Sequence, residues 1–272
     1  MGLPLYAVAF CSEGNFMVLA IDIGNTNIVF GIISFDVIQF VARTSTDKTK
    51  TSDQYAIQFK SILELYDVDV NEIDGCIISS VVPSVFNEVS RAVTTITGIE
   101  PMSVGPGIKT GLNILIDNPA QLGSDLVVNA VAALNEYKPP IIIIDMGTAT
   151  TISVVDLNEN YIGGIILPGM RISLDALCST AAQLPAIKLE QPKRVIGKNT
   201  IECMTSGIIN GNAAMIDGMI ERIEDEIGER AIVVATGGLA GEIVKNCRKE
   251  VIFDSDLLLK GLYIIYEKNK QI

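Results

Sequence analysis

Two short segments repeat one pattern of chemistry. Asp22-Ile23-Gly24-Asn25-Thr26-Asn27 and Asp145-Met146-Gly147-Thr148-Ala149-Thr150-Thr151 each follow a run of β-branched apolar residues. A glycine in such a tip lets phosphate oxygens approach backbone N–H groups, Thr and Asn side chains add donors, and the aspartate can hold a cation. One Asp-x-Gly alone is ordinary turn chemistry. Two matched copies, offset by 123 residues from Asp22 to Asp145, point instead to facing loops around a nucleotide. A third carboxylate, Asp125, stands two residues after Gly123 at the expected start of a helix. There it either caps the helix or accepts a hydroxyl proton as a phosphoryl group is transferred. The chain has no histidine, which excludes His triads, His metal sites and imidazole acid–base steps and leaves proton transfer mostly to carboxylates. Thr236-Gly237-Gly238, after another apolar strand, is either a plain strand-to-helix turn or a place where backbone passes close to a ligand such as adenosine.

These residues must be positioned by buried strands and their connecting helices. The apolar runs at 18–21 and 28–33 read as a hairpin with the first aspartate tip between them, and 141–144 with 152–155 restart the same pattern around the second tip. Ser52 is the expected cap of a helix that places Tyr55, Phe59, Ile62, Leu63 and Tyr66 on one face, followed by a strand at 75–78. Helices are expected at 123–134, 205–227 and 239–246, and a strand at 231–235. Residues 137–140 form a break, taken as the domain boundary. Gly163-Gly164 and Pro168-Gly169 flank a strand at 165–167 and fit either a close dimer partner or tight strand ends. So long a repeat offset means duplicated domains rather than a solenoid.

Composition narrows the function classes. With 272 residues and 49% hydrophobic content the chain can bury a large core, and two domains of modest size are expected. Acidic residues outnumber basic ones 32 to 20, a net charge of −12 with no basic cluster, which opposes binding to nucleic acid or an anionic membrane. No apolar stretch approaches a membrane span, since even 141–144 is closed by Asp145. Cys11, Cys76, Cys178, Cys203 and Cys247 contain no C-x-x-C pair, which fits buried thiols in a reducing cytosol. Residues 1–16 carry no basic n-region and, with Tyr6, no myristoylation signal, so they read as an N-terminal extension.

Taken together, the two aspartate tips, Thr110-Gly111-Leu112 with Asp117-Asn118-Pro119, Gly123-Ser124-Asp125, Gly163-Gly164, Pro168-Gly169, Thr180-Ala181, Leu184-Pro185, Ile196-Gly197-Lys198-Asn199-Thr200 and Ala235-Thr236-Gly237-Gly238 resemble type III pantothenate kinases, in order and spacing from Met17 onward. The resemblance implies an α/β chain of two ribonuclease-H-like domains, with mixed sheets flanked by helices, duplicated as in the actin-like ATPase superfamily. Residues 17–138 and 139–272 would form the two domains. It further implies ATP-dependent phosphorylation of pantothenate at the start of coenzyme A synthesis, in a cytoplasmic homodimer whose partner subunit completes the substrate pocket. By the same resemblance Asp125 is the proton acceptor, and Asp22, Ile23, Gly24, Asn25, Thr26, Asn27, Ile28 and Val29 form the ATP phosphate loop. Asp22 helps hold magnesium, Asp145 a monovalent cation (potassium or ammonium), and Thr148 touches ATP. Gly123, Ser124, Asp125, Leu126 and Thr200 face pantothenate. One departure stands out: the family has an arginine, which contacts the substrate, where this chain has Leu126. Lys109 and Arg171 are the candidates for a replacement charge. The departure also keeps two other readings open, an accessory nucleotide-binding protein and a kinase for another hydroxylated substrate.

Overall fold

A computed structural model gives the structure over residues 16–270. Residues 1–15 of the expected extension, with Tyr6 and Cys11, lie outside the described residues. Phe16 lies within them and packs its ring 6.2 Å from that of Tyr266.

The chain builds two sheets of the same plan. In the first, β1 (Met17–Ile23), β2 (Asn27–Ser34) and β3 (Val37–Ser45) form an antiparallel meander, and β4 (Ile73–Ser80) and β5 (Met102–Ser103) join β1 in parallel, giving the order β3-β2-β1-β4-β5. The second contains β6 (Asn113–Ile114), β7 (Ile141–Met146), β8 (Ala149–Val155), β9 (Asn160–Pro168), β10 (Ile232–Thr236) and β11 (Ile252–Phe253) in the order β11-β10-β7-β8-β9-β6. Apart from β6, added parallel to β9, this repeats the order and strand directions of the first. Each aspartate tip is therefore the turn of a central hairpin.

Helices cover both sheets. α1 (Ser52–Leu65) and α2 (Pro83–Thr97) pack on one face of the first, where Leu19, Ile21, Ile23, Phe30, Tyr55, Phe59 and Val89 share a core. The cap of α1 is Thr51 rather than Ser52. Its hydroxyl accepts from the Gln54 N–H while the Gln54 side chain accepts from the Thr51 N–H, a reciprocal pair that Ser52 is one residue too late to make. In the second half, α4 (Met170–Thr180), α5 (Thr200–Ile227) and α6 (Ala240–Val244) cover the face carrying Ile142, Ile144 and Met146. α5 begins at residue 200, five residues before the expected 205, because the Asn199 side chain accepts from the Glu202 N–H and Glu202 reaches back to the Lys198 N–H. That first turn is largely solvent-exposed, so no apolar period announces it.

Between the sheets lies α3 (Ser124–Glu136) beside α7 (Leu257–Asn269). Val128 and Val131 of α3 join Val18, Ala20, Leu259 and Leu262 in one core, while Ala130, Ala132 and Ala133 join Ile141, Ile143 and Leu257 in another. A helix squeezed between two layers needs small residues, which explains its alanines. The C-terminal helix thus packs against the first sheet, and Lys260 ties it to Glu136 at 2.8 Å and Asp254 at 2.7 Å. In β9, a Cβ at Gly164 would lie 2.5 Å from the Ile152 carbonyl oxygen, so close pairing with β8 inside the chain accounts for that glycine without a dimer partner.

Candidate active site

The side-chain alternation of β1 explains where Asp22 points. Val18 and Ala20 face α3 and α7, Leu19, Ile21 and Ile23 face α1 and α2, and Asp22 continues the first series. In β7, Ile141 and Ile143 face α3 and Asp145 continues them. Both aspartates therefore end strands on the faces turned toward the helix whose first turn carries Asp125.

Each tip is closed by a hydrogen bond from its glycine N–H, and the two tips meet. The Gly24 N–H donates to the Asn27 carbonyl at 3.0 Å, and the Gly147 N–H to the Ala149 carbonyl at 3.0 Å. Across the cleft the Thr26 and Thr148 hydroxyls are 2.8 Å apart. Thr46, beyond β3, props the first tip: its hydroxyl donates to the Gly24 carbonyl at 2.6 Å and its N–H to the Thr26 carbonyl at 2.9 Å. Of the expected phosphate loop, Asn25, Thr26 and Asn27 are exposed, whereas the Ile23 and Ile28 side chains are buried in the core and offer the cleft only backbone.

Asp125 accepts the Leu126 N–H at 2.9 Å, while Gly123 occupies the N-cap position with no side-chain cap. Ser124 docks the helix start onto β4: its hydroxyl lies 2.9 Å from that of Ser79 and donates to the Ser80 carbonyl at 3.1 Å. Four residues along the same helix face, buried Asn129 donates its amide to Asp145 Oδ2 at 3.0 Å.

Burial raises the proton affinity of three carboxylates in one partly dry cleft, and the Asp125 charge adds to the rise at the other two. Burial, then the Asp125 charge, pushes the Asp22 pKa up to about 8, with Asp145 adding to the rise and a Ser79 hydrogen bond opposing it. Burial and Asp125 push Asp145 up to about 6 against the Asn129 hydrogen bond. Burial also raises Asp125, against backbone hydrogen bonds including that from Leu126. A cation would relieve this repulsion, and Asp22 Oδ1 is buried without a hydrogen-bond partner. These donors, hard carboxylate oxygens, suit magnesium or a monovalent cation. Among the described residues no three His, Cys, Asp or Glu side chains form a ready metal cage.

Gly237 follows β10 with φ +97°, and a Cβ there would lie 2.7 Å from the Met146 backbone, so only glycine lets this turn pack on the second tip. Thr200 is exposed at the start of α5, and none of the hydrogen bonds that assemble the cleft involves it. Leu126 is half-buried in the first turn of α3, while Lys109 and Arg171 are exposed. No motif in the sequence points to a role for Thr46, Ser79 or Asn129. Only Asn129 leaves a signal, as an amide flanked by the valines and alanines of α3.

A model of the type III pantothenate kinase family matches residues 18–222. A type III pantothenate kinase from Exiguobacterium sp. (strain ATCC BAA-1283 / AT1b) is 46% identical over 255 residues, covering 94% of this chain and all of that protein. One from Moorella thermoacetica is 43% identical over 255 residues, covering 93% of this chain and all of that protein. Among solved structures, a ROK family glucokinase from Streptomyces griseus matches with a TM-score of 0.54 at 11% identity, over 92% of this chain and 98% of that one. This last likeness concerns the fold alone, two mixed sheets of one plan flanked by helices, as a duplicated ribonuclease-H-like arrangement has them.

Proposed function

Because the chain belongs to the type III pantothenate kinase family, we propose that ATP lies between its two aspartate tips and that Asp125 takes the proton of the pantothenate hydroxyl. The enzyme transfers the γ-phosphoryl group of ATP to pantothenate in coenzyme A biosynthesis. The observation that carries the site assignment is the convergence of Asp22, Asp145 and Asp125 around tips that meet at Thr26 and Thr148.

In this reading the loop from Asp22 to Val29, through its exposed tip residues Asn25, Thr26 and Asn27, and the Thr148 hydroxyl hold and orient the phosphates. Positioning of this kind supplies most of the catalysis in phosphoryl transfer. A carboxylate whose proton affinity is raised by burial is a better base than one in water, which suits Asp125 to its role. Magnesium at Asp22 and a monovalent cation, potassium or ammonium, at Asp145 would neutralise charge on the phosphates and on the carboxylates themselves. Gly123, Ser124 and Leu126 line the acceptor side. The exposed position of Thr200 supports its delivery to the pantothenate pocket of a partner subunit in a homodimer. The free thiols of Cys76, Cys178, Cys203 and Cys247 support a cytoplasmic location, and no helix among the described residues is long and apolar enough to cross a membrane.

The test is ADP release by the purified protein with ATP, magnesium and potassium, with and without pantothenate, and mass detection of phosphopantothenate. Pantothenate-dependent ADP and product are expected. ATP binding without product would overturn the acceptor assignment.

A further inference from the structure

β3 brings a cation to the cleft. Cross-strand register places Arg43 opposite Val29, Val29 opposite Asp22 and Asp22 opposite Ser79, so these four residues form one row across the first sheet. Residues directly paired across strands project from the same face. Arg43 therefore stands on the Asp22 side of the sheet, two strands away, a backbone separation of roughly 10 Å at ordinary strand spacing. A guanidinium bridges part of such a gap while its backbone remains at the sheet edge.

The Arg43 side chain crosses to the other half of the molecule. A Cβ placed on Gly238 would lie 3.3 Å from its Nη1, 3.9 Å from Cζ and 4.0 Å from Nη2, so the whole guanidinium lies against the glycine turn after β10. Thr236, just before that turn, pairs with Asp145 across β10 and β7. One positive group thus touches the second half beside one acidic tip while rooted in the same row as the other. It takes part in none of the ion pairs found among the described residues. The cleft otherwise presents three carboxylates to a polyanionic nucleotide, so a fixed cation at its mouth has an electrostatic task available to it.

We propose that Arg43 is a nucleotide clamp: its guanidinium holds a phosphate of the bound nucleotide against the Gly237-Gly238 turn, linking the two halves across the ligand. Arginine suits this task because its planar fork donates two parallel hydrogen bonds to a phosphate, which lysine, a point charge, does not. Gly238 leaves room for that fork. The inference rests on the ATP-binding reading above and concerns only the nucleotide side of the site.

Titrating wild type, Arg43→Gln and Arg43→Lys with AMPPNP and with ADP by calorimetry, in magnesium and potassium, tests it. Loss of a charge-assisted phosphate contact predicts Kd values for Arg43→Gln about 10- to 150-fold higher than wild type. Arg43→Lys should recover part of that loss. The KM for pantothenate at saturating ATP should stay near the wild-type value, since the acceptor side is untouched. Unchanged AMPPNP affinity in a folded Arg43→Gln protein would overturn the clamp, as would a lowered Tm of the free protein with unaltered nucleotide binding, which marks a structural strut. Failure of the wild type itself to bind AMPPNP would instead overturn the ATP-binding reading and the clamp with it.

Discussion

Asp125 is where the chemistry of this cleft is most exposed to test at a single residue. Asp125→Asn keeps the volume and can still accept the Leu126 N–H through its amide oxygen, so folding should survive. If Asp125 is the base, phosphopantothenate formation should fall about 100- to 10,000-fold. A stable variant turning over at the wild-type rate would return Asp125 to a purely structural role in the first turn of α3. Leu126→Arg probes the neighbouring departure from the family pattern: a restored charge should lower the pantothenate Kd by about 10- to 150-fold. No tightening would mean that the pocket has been rebuilt around leucine.

The same residues predict a pH dependence. Asp22 and Asp145 ionise near pH 4 in an unfolded chain but at about 8 and about 6 in the folded one. Between those values the folded state holds more protons than the unfolded state, so stability is highest below pH 4 for these groups and falls as pH rises through 6 and 8. Thermal melts of the ligand-free protein should show a lower Tm at pH 8.5 than at pH 5.5, with Mg–ATP and potassium narrowing the gap. A Tm that rises over this range would contradict the crowding of the carboxylates.

At the scale of elements, the α3–α7 pair decides how the helix that carries Asp125 is held. A Cβ on Gly261 would collide with the Val128 carbonyl oxygen, so the two helices cross at a distance only glycine permits. Glycine inside a helix ordinarily costs about 1 kcal/mol relative to alanine, and Gly261→Ala in an unconstrained helix would stabilise. Here overpacking should win and lower stability by about 1–3 kcal/mol. A raised melting temperature for Gly261→Ala would show that the helices part without cost. α7 itself illustrates a limit of pattern reading. Its apolar residues surround most of the helix, with Leu257, Leu259, Leu262, Ile265 and Tyr266 all buried, and a segment apolar on nearly every side except at Lys260 does not say which sheet it will cover.

For the whole molecule, the proposed homodimer has a genetic signature that a self-sufficient monomer lacks. Asp125→Asn and Thr200→Arg homodimers should each be inactive or weak. Mixed dimers would pair an intact Asp125 with an intact Thr200 from the other chain and so regain activity that neither parent has. Mixed species verified by mass that remain inactive would argue against a pocket shared between subunits.

The sequence alone determined the two hairpins, the duplicated plan and the position of the three aspartates in it, because β-branched runs ending in Asp-x-Gly carry their own local physics. It also identified the family, through motifs whose order and spacing span most of the chain. Tertiary structure alone decided that α7 returns to the first sheet and that β6 joins the second. It also decided that Thr46, Ser79, Asn129 and Arg43 belong to the cleft. The physical reason is separation along the chain. A turn or a cap is chosen by neighbours a few residues away, whereas these side chains acquire their roles from strand register and helix packing between segments that become neighbours only when both sheets close on α3.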